Sequence, residues 1–184
     1  MSTGILAAIV VLAVLVVVLA ALTASLLARS RHLRDRFGPE YERAVEGEGG
    51  RMAGERELRA REKRHDALEI KPLPAAARDR YVGEWQGVQE EFVDRPRDAV
   101  HDADRLVTSL MQERGYPTEG FEQQTRDLSV EHGGTLEHYR SAHEIERLST
   151  SRQATTEQLR NAMVHYRAIF DELLSDGGRA QPAR

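Results

Sequence analysis

The chain begins with an apolar run that predicts a membrane-spanning helix. Residues 5–22 are 18 apolar residues without interruption, and only Thr23 and Ser25 interrupt the extension of the run to Ala28. A helix rises about 1.5 Å per residue, so this stretch is long enough to cross a hydrocarbon core of about 30 Å. Backbone groups find no water there, which requires a helix despite the β-branched valines. We therefore interpret residues 1–28 as a transmembrane anchor.

A cleaved signal peptide is the competing interpretation of the same run. Three features count against it: the first four residues are uncharged, the run exceeds the usual length of about 7–15 residues, and no small-x-small site follows it in a polar setting. The best cleavage site, at residues 18–20, lies inside the run itself. The anchor is the favoured interpretation.

The next segment, residues 29–74, is predicted to be a basic juxtamembrane segment followed by a charged helical stalk or linker. Gly38 and Pro39 predict the start of a short helix that continues to Val45, because proline suits the first helical turn. Residues 51–69 are then nearly all charged, and their apolar positions Met52, Leu58 and Leu68 are too sparse for a buried stripe. We expect a solvent-exposed stalk, of the coiled-coil type at most, which ends at the breakers Pro72 and Pro74.

Beyond these prolines, apolar residues recur at the spacing of one helix face. The stripes predict successive helices over residues 75–178, and no window alternates with period two, so no sheet is expected. The last helix is the clearest, with Thr155 or Thr156 as its N-cap. The predicted fold is therefore all-α: an antiparallel helical bundle over residues 75–178, followed by a disordered tail over residues 179–184. The stripes are Tyr81/Trp85/Val88/Phe92, Val100/Ala103/Val107/Leu110, Phe121/Leu128, Leu136/Tyr139/Ala142/Ile145 and Leu159/Met163/Tyr166/Phe170/Leu173.

The charges are distributed unevenly on the two sides of the anchor. Arg29, Arg31, Arg34 and Arg36 directly follow it, whereas no basic residue precedes it. The positive-inside rule then places the C-terminal domain in the cytoplasm, with the protein in the cell membrane as a single-pass chain. These four arginines are also the candidate contacts with the membrane surface. The spacing of Ala20, Ala24 and Ala28 would in addition permit self-association of the anchor.

Net charge and cysteine content exclude several classes of protein. The four arginines and Asp35 give residues 29–36 a net charge of +3. Because the whole chain has a net charge of −4, residues 37–184 carry a net charge of −7. A nucleic-acid partner is not expected, because binding phosphates requires a concentrated positive face. The chain has no cysteine, so it has no disulfides, thiolate metal sites or cysteine nucleophiles.

The remaining candidates for chemistry are weak, so we predict no enzyme, no catalytic residue, no cofactor and no metal ligand. A di-metal site would need several inward Glu-x-x-His pairs, and the chain offers only Glu62–His65 and the related Asp98–His101. His132, His138, His143 and His165 lack the spacing of a zinc site. The aromatic stripe of Tyr81, Trp85 and Phe92 is more typical of a core than of a ligand pocket or a partner groove.

Three stretches carry a resemblance to a known family. They are FGPEYERAV at residues 37–45, RGYPTEGFEQQTRDLSVEH at residues 114–132 and MVHYRAIFDELL at residues 163–174. Together with the anchor, the chain resembles a family of uncharacterised bacterial single-pass membrane proteins. The resemblance implies a shared fold and brings no activity, cofactor or site residue with it.

The leading functional hypothesis is a membrane-tethered interaction or scaffold module that binds another protein of unknown identity. One alternative is an exported or envelope-located helical protein, released by or retained on its N-terminal segment. The other is a helical bundle that binds a small ligand or a metal.

Overall fold

A computed structural model describes residues 3–175, and this part of the chain is helical, with eight helices and no strand. The all-α prediction is thus confirmed for the described residues. The predicted tail at residues 179–184 lies outside them. The helices are α1 (Thr3–Phe37), α2 (Pro39–Gly47), α3 (Arg51–His65), α4 (Ala75–Asp94), α5 (Pro96–Arg114), α6 (Phe121–Leu128), α7 (Leu136–Thr150) and α8 (Thr156–Leu174).

Local sequence signals set the ends of several helices, including the predicted starts of α2 and α8. Proline occupies the first turn of α2 and of α5, and Gly115 ends α5 in the left-handed conformation with φ 98°. Thr155 caps α8 through a capping box: its side chain accepts from the Gln158 backbone N–H, while the Gln158 side chain accepts from the Thr155 backbone N–H. These short-range signals need no tertiary partner.

Helix α1 contains the apolar run and continues beyond it without a break. The stretch Val10–Phe37 of this helix is long and apolar enough to cross a membrane, with an 18-residue window of mean hydropathy 3.0. All side chains of residues 10–29 are exposed, so these apolar residues find no protein partner among the residues that the structure describes. A signal sequence would pass the same test of length and composition.

The larger hydrophobic core lies among α4, α5, α7 and α8. Helix α5 contacts α4, α7 and α8, and α8 also contacts α7. The predicted apolar stripes provide this core, including Tyr81 and Trp85 of α4. The Trp85 ring stacks on Phe170 with 4.7 Å between ring centroids, an offset arrangement that aromatic pairs favour. The aromatic stripe is therefore largely core, as predicted.

A second, smaller core joins the end of α1 to α2 and α3. It consists of buried apolar residues from four separate segments: Leu33, Phe37, Tyr41, Ala44, Leu58 and Val130. The prediction of a solvent-exposed stalk is wrong for α3, since Leu58 is fully buried and Gly54 and His65 are buried as well. A single leucine suffices here because α1, α2 and Val130 provide the other apolar residues of this core.

Several contacts join the smaller core to the rest of the fold, and two of them are especially close. Arg140 of α7 forms a bidentate ion pair with the buried Glu40 of α2, with a nitrogen–oxygen distance of 2.7 Å in one of its two hydrogen bonds. The backbone of Gly133 also approaches the end of α1 closely, because a Cβ at this position would lie 2.4 Å from the Phe37 carbonyl oxygen. Any larger residue at position 133 would push α1 away.

We predict that Gly54→Ala destabilises the protein although alanine is the better helix former. A Cβ at Gly54 would lie 2.7 Å from the Cα of Val45, a backbone atom that cannot move aside cheaply. We expect a loss of roughly 1–3 kcal/mol, seen as a lower Tm of the full chain in detergent by circular dichroism.

Gly87→Ala in α4 is the matched control, since a Cβ there meets no atom within 4 Å. This variant should gain about 0.5–1 kcal/mol from helix propensity alone. A Gly54→Ala variant that is stabilised as much as Gly87→Ala would show that α2 and α3 do not pack in this way.

Candidate functional site

The four arginines predicted to contact the membrane surface fall into two pairs. Arg36 is half-buried and forms ion pairs with Glu62 of α3 (3.0 Å) and with Asp66 directly after α3 (3.1 Å). The Arg34 guanidinium lies over the Tyr41 ring, 4.8 Å from its centroid, and 3.6 Å from Glu42. Both side chains thus hold α1 against its neighbours.

Arg29 and Arg31 form the second pair. Both are exposed and neither makes a hydrogen bond or an ion pair with the part of the chain that the structure describes. They directly follow Ala28, the last residue of the predicted anchor. These two arginines are free to meet an external anion.

The carboxylate of Glu55 lies where α1, α2 and α3 meet, beside the end of the apolar run. The Glu55 carboxylate accepts hydrogen bonds from Ser30, from Tyr41 (2.8 Å) and from Arg51 (2.9 Å). Burial acts to raise the pKa of Glu55, but these hydrogen bonds outweigh it and lower the pKa to about 2. A permanently ionised Glu55 therefore ties α3 to α1 beside the end of the apolar run.

A buried polar cluster connects α3, α8 and the segments that flank α6. His132 is fully buried, with its Nδ1 2.8 Å from Glu172 and its Nε2 3.2 Å from the Tyr116 hydroxyl. That hydroxyl donates to Glu131 at 3.1 Å. A carboxylate only accepts, so His132 Nδ1 carries a hydrogen. Burial of Tyr116 raises its pKa far above the usual value, which keeps the hydroxyl protonated as the donor.

His65 is the member of this cluster that lacks a hydrogen bond. Its Nε2 atom is buried without a partner among the described residues and lies 3.7 Å from the Glu131 carboxylate. Burial lowers the pKa of His65, and the attraction of Glu131 only partly offsets this effect. Arg36 lowers the pKa further. His65 is thus a neutral buried ring at neutral pH.

The other histidines described below lie outside this buried polar cluster. His138 and His165 lie together on the surface, with their Nδ1 atoms 2.9 Å apart, whereas His143 stacks on Phe121 with ring centroids 3.8 Å apart. His101 contacts Glu146 instead of Asp98. Over residues 3–175, no group of three or more histidine, aspartate or glutamate side chains is placed to hold a metal ion.

An open apolar groove of about 320 Å³ runs between α4 and α8. Its walls are apolar and aromatic, with arginines at two positions along α8, and its lining consists of Trp85, Gln89, Phe92, Arg160, Met163, Val164 and Arg167. The buried Trp85 N–H has no acceptor among the described residues. Val164 is 63% exposed at the edge of this groove. The groove therefore has an apolar, aromatic floor with Arg160 and Arg167 along one side.

From the sequence, a groove was only the less favoured interpretation of the aromatic stripe, and the buried polar cluster was not predicted. The signal for the groove was Val164, an apolar residue outside the α8 stripe, next to Met163 within it. No comparable signal existed for the polar cluster. His65, Tyr116 and Glu172 lie far apart in sequence, and only the tertiary fold brings them together.

Comparison with protein-family models, with curated proteins and with solved structures finds no match to this chain. The resemblance of residues 37–45, 114–132 and 163–174 to a bacterial membrane family stays a prediction. In the structure, these stretches provide Phe37 of the smaller core, Tyr116 and His132 of the polar cluster, and Met163 of the groove.

We predict that the stability of the protein falls as the pH is lowered through the histidine range, in part because of His65. Its pKa in the fold lies below its ordinary value, so the unfolded chain binds the proton first and the fold loses stability as pH falls. His165, whose pKa is also lowered by burial and by His138, contributes with the same sign.

The Tm of the full chain, measured from about pH 7.5 to about pH 5.5, should fall less in His65→Leu than in the unchanged protein. His165 should leave a residual slope in that variant. Equal slopes for the variant and the unchanged protein would contradict the inferred state of His65.

Proposed function

We propose that this protein is a membrane-anchored, non-enzymatic interaction module that presents a helical domain at the cytoplasmic face of the cell membrane. In this proposal, residues 1–28 span the bilayer and residues 75–178 form an antiparallel helical bundle that binds another protein. Residues 29–74 are a compact connector rather than an extended stalk. The short connections between α4 and α5 and between α7 and α8 favour antiparallel neighbours.

The observation that carries the proposal is the continuity of α1 from its apolar part into the smaller core. The exposed apolar side chains of residues 10–27 require a non-aqueous environment, while Leu33 and Phe37 of the same helix are buried by α2, α3 and Val130. An anchor of this kind holds the domain at a defined height and orientation. A cleaved signal peptide would have no reason to share a helix with core residues.

The cytoplasmic orientation is supported by the exposed positive charge behind the apolar run. Arg29 and Arg31 are exposed and unpaired within the described chain, so their charge is not neutralised by the fold. Lysine and arginine close to a membrane span favour the cytoplasmic side.

The groove between α4 and α8 is the surface that we assign to the partner. We infer that its occupant is a polypeptide segment with an apolar side chain for the floor. Arg160 and Arg167 beside the floor pair with Glu157 (2.9 Å) and Asp171 (2.7 Å) of the same helix. The Arg167 guanidinium already lies 5.7 Å from the Trp85 ring centroid. Aromatic residues and arginine are the residue types that dominate binding at protein interfaces.

Orientation can be tested with single cysteines, because the natural chain has none. We expect a membrane-impermeant maleimide to label Ser2→Cys in intact cells, and to label Ser151→Cys only after the membrane is opened. Position 151 is an exposed site in the connection between α7 and α8. Labelling of Ser151→Cys in intact cells would support the exported alternative. A mature chain that lacks the apolar run would do the same.

The groove can be tested by placing a photo-crosslinking residue at Val164 of the full chain in native membranes. We expect Val164→benzoylphenylalanine to form a discrete adduct that is lost when Phe92→Asp is added, because the charge destroys the apolar floor. The control position is Glu144, an exposed residue on α7. The captured peptide should contain an apolar residue at the point of attachment. Equal adducts at both positions, or an adduct indifferent to Phe92→Asp, would contradict the assignment.

A further inference from the structure

Cations without a partner concentrate beside the end of the apolar run. Most arginines of the described chain pair with a carboxylate, as Arg36 does with Glu62 and Asp66. Within residues 3–175, the lysines and arginines that make no hydrogen bond or ion pair are Arg29, Arg31, Arg56, Arg59 and Lys63 on α1 and α3, and Arg97 and Arg152 elsewhere. All of these side chains are exposed.

Contacts between α1 and α3 show that the two helices run in the same direction. Ser30 bonds Glu55 near the start of α3, whereas Arg36 bonds Asp66 directly after its end, at 3.1 Å. The first turns of α3 therefore lie at the level where the apolar run of α1 ends. Met52, Arg56, Arg59 and Lys63 follow at helical spacing on one exposed face of α3, and Met52 is 83% exposed.

Between these two helices lies a groove of about 410 Å³ that opens next to the last apolar turn of α1. It is lined by Ala28, Arg29, His32, Leu33, Arg59 and Glu62. The one carboxylate in this lining is already engaged: Glu62 lies 2.9 Å from His32 Nε2 and 3.0 Å from Arg36. Arg29 and Arg59 remain as two unpaired positive charges on an otherwise apolar groove.

We propose that this groove binds the headgroup of an anionic phospholipid, with Arg29 and Arg59 on its phosphate and with Ala28 beside its glycerol end. This inference rests on the proposed membrane anchoring, which places the groove at the depth of the headgroups. Planar guanidinium groups match phosphate oxygens in geometry and charge. The apolar wall continues directly into the span, so one lipid contacts both. Arg34 and Arg36, although close in sequence, take no part because α2 and α3 hold their side chains.

The test is lipid binding by the full chain, measured by native mass spectrometry from detergent with added phosphatidylglycerol, phosphatidylcholine or inorganic phosphate. We expect retention of phosphatidylglycerol, much weaker retention of phosphatidylcholine, and no competition by inorganic phosphate. The double variant Arg29→Gln/Arg59→Gln should bind phosphatidylglycerol at least about 10-fold more weakly, because each arginine near the surface contributes on the order of 1 kcal/mol.

The matched control is Arg97→Gln/Arg152→Gln, which removes two exposed, unpaired charges elsewhere and should leave binding unchanged. Equal losses in both double variants would overturn the site in favour of general charge attraction, and competition by inorganic phosphate would overturn the lipid as its occupant. Retention of each variant in alkali-washed membranes is measured in parallel. Chains that wash out refute the anchoring itself, whereas retained chains without bound lipid refute only the groove.

Discussion

The architecture depends on the burial of Leu33 and Phe37, two apolar residues on the last turns of the long N-terminal helix. Both side chains are enclosed by α2, α3 and Val130, and the Phe37 carbonyl lies against the backbone of Gly133. Without this contact, α1 would be an apolar rod joined to the rest by a flexible connection. With it, packed contacts join the apolar run, the charged segment and the larger core. The ion pair of Glu40 with Arg140 strengthens the same junction where its charges are shielded from water.

Helix positions were predictable because their signals are local. The spacing of Tyr81, Trp85 and Val88 specifies an apolar face, and the Thr155 cap with Gln158 fixes the start of α8 from residues within one turn. The packing of α3 was not predictable in this way. Leu58 is the only fully buried apolar side chain on α3, and its apolar neighbours come from segments more than ten residues away. The hydrophobic pattern of one helix cannot reveal a core to which each helix contributes only one or two residues.

The candidate sites show the same division between local and tertiary information. Arg29, Arg31, Arg34 and Arg36 look equivalent in the sequence, since each follows the apolar run at short distance. Their roles diverge because the helix turns them toward different surroundings: Arg34 toward Tyr41 of α2, Arg36 toward Glu62 of α3, and Arg29 toward an open groove. Likewise, nothing in the sequence relates His132 to Glu172 or Arg29 to Arg59. Composition could exclude chemistry based on cysteine, but it could not place any of these pairs.

Because α1 continues without a break into the folded domain, it also fixes the rotational orientation of that domain about the axis of α1. Each residue of an α-helix turns the chain by about 100° and advances it by about 1.5 Å. In a bilayer, one residue added between Ala28 and Ser30 would therefore swing everything beyond it through more than a quarter of a circle, with almost no change in height. The number of residues between the apolar run and Leu33 therefore sets the rotational orientation of the domain. That orientation decides the lateral direction from which the groove between α4 and α8 can be reached.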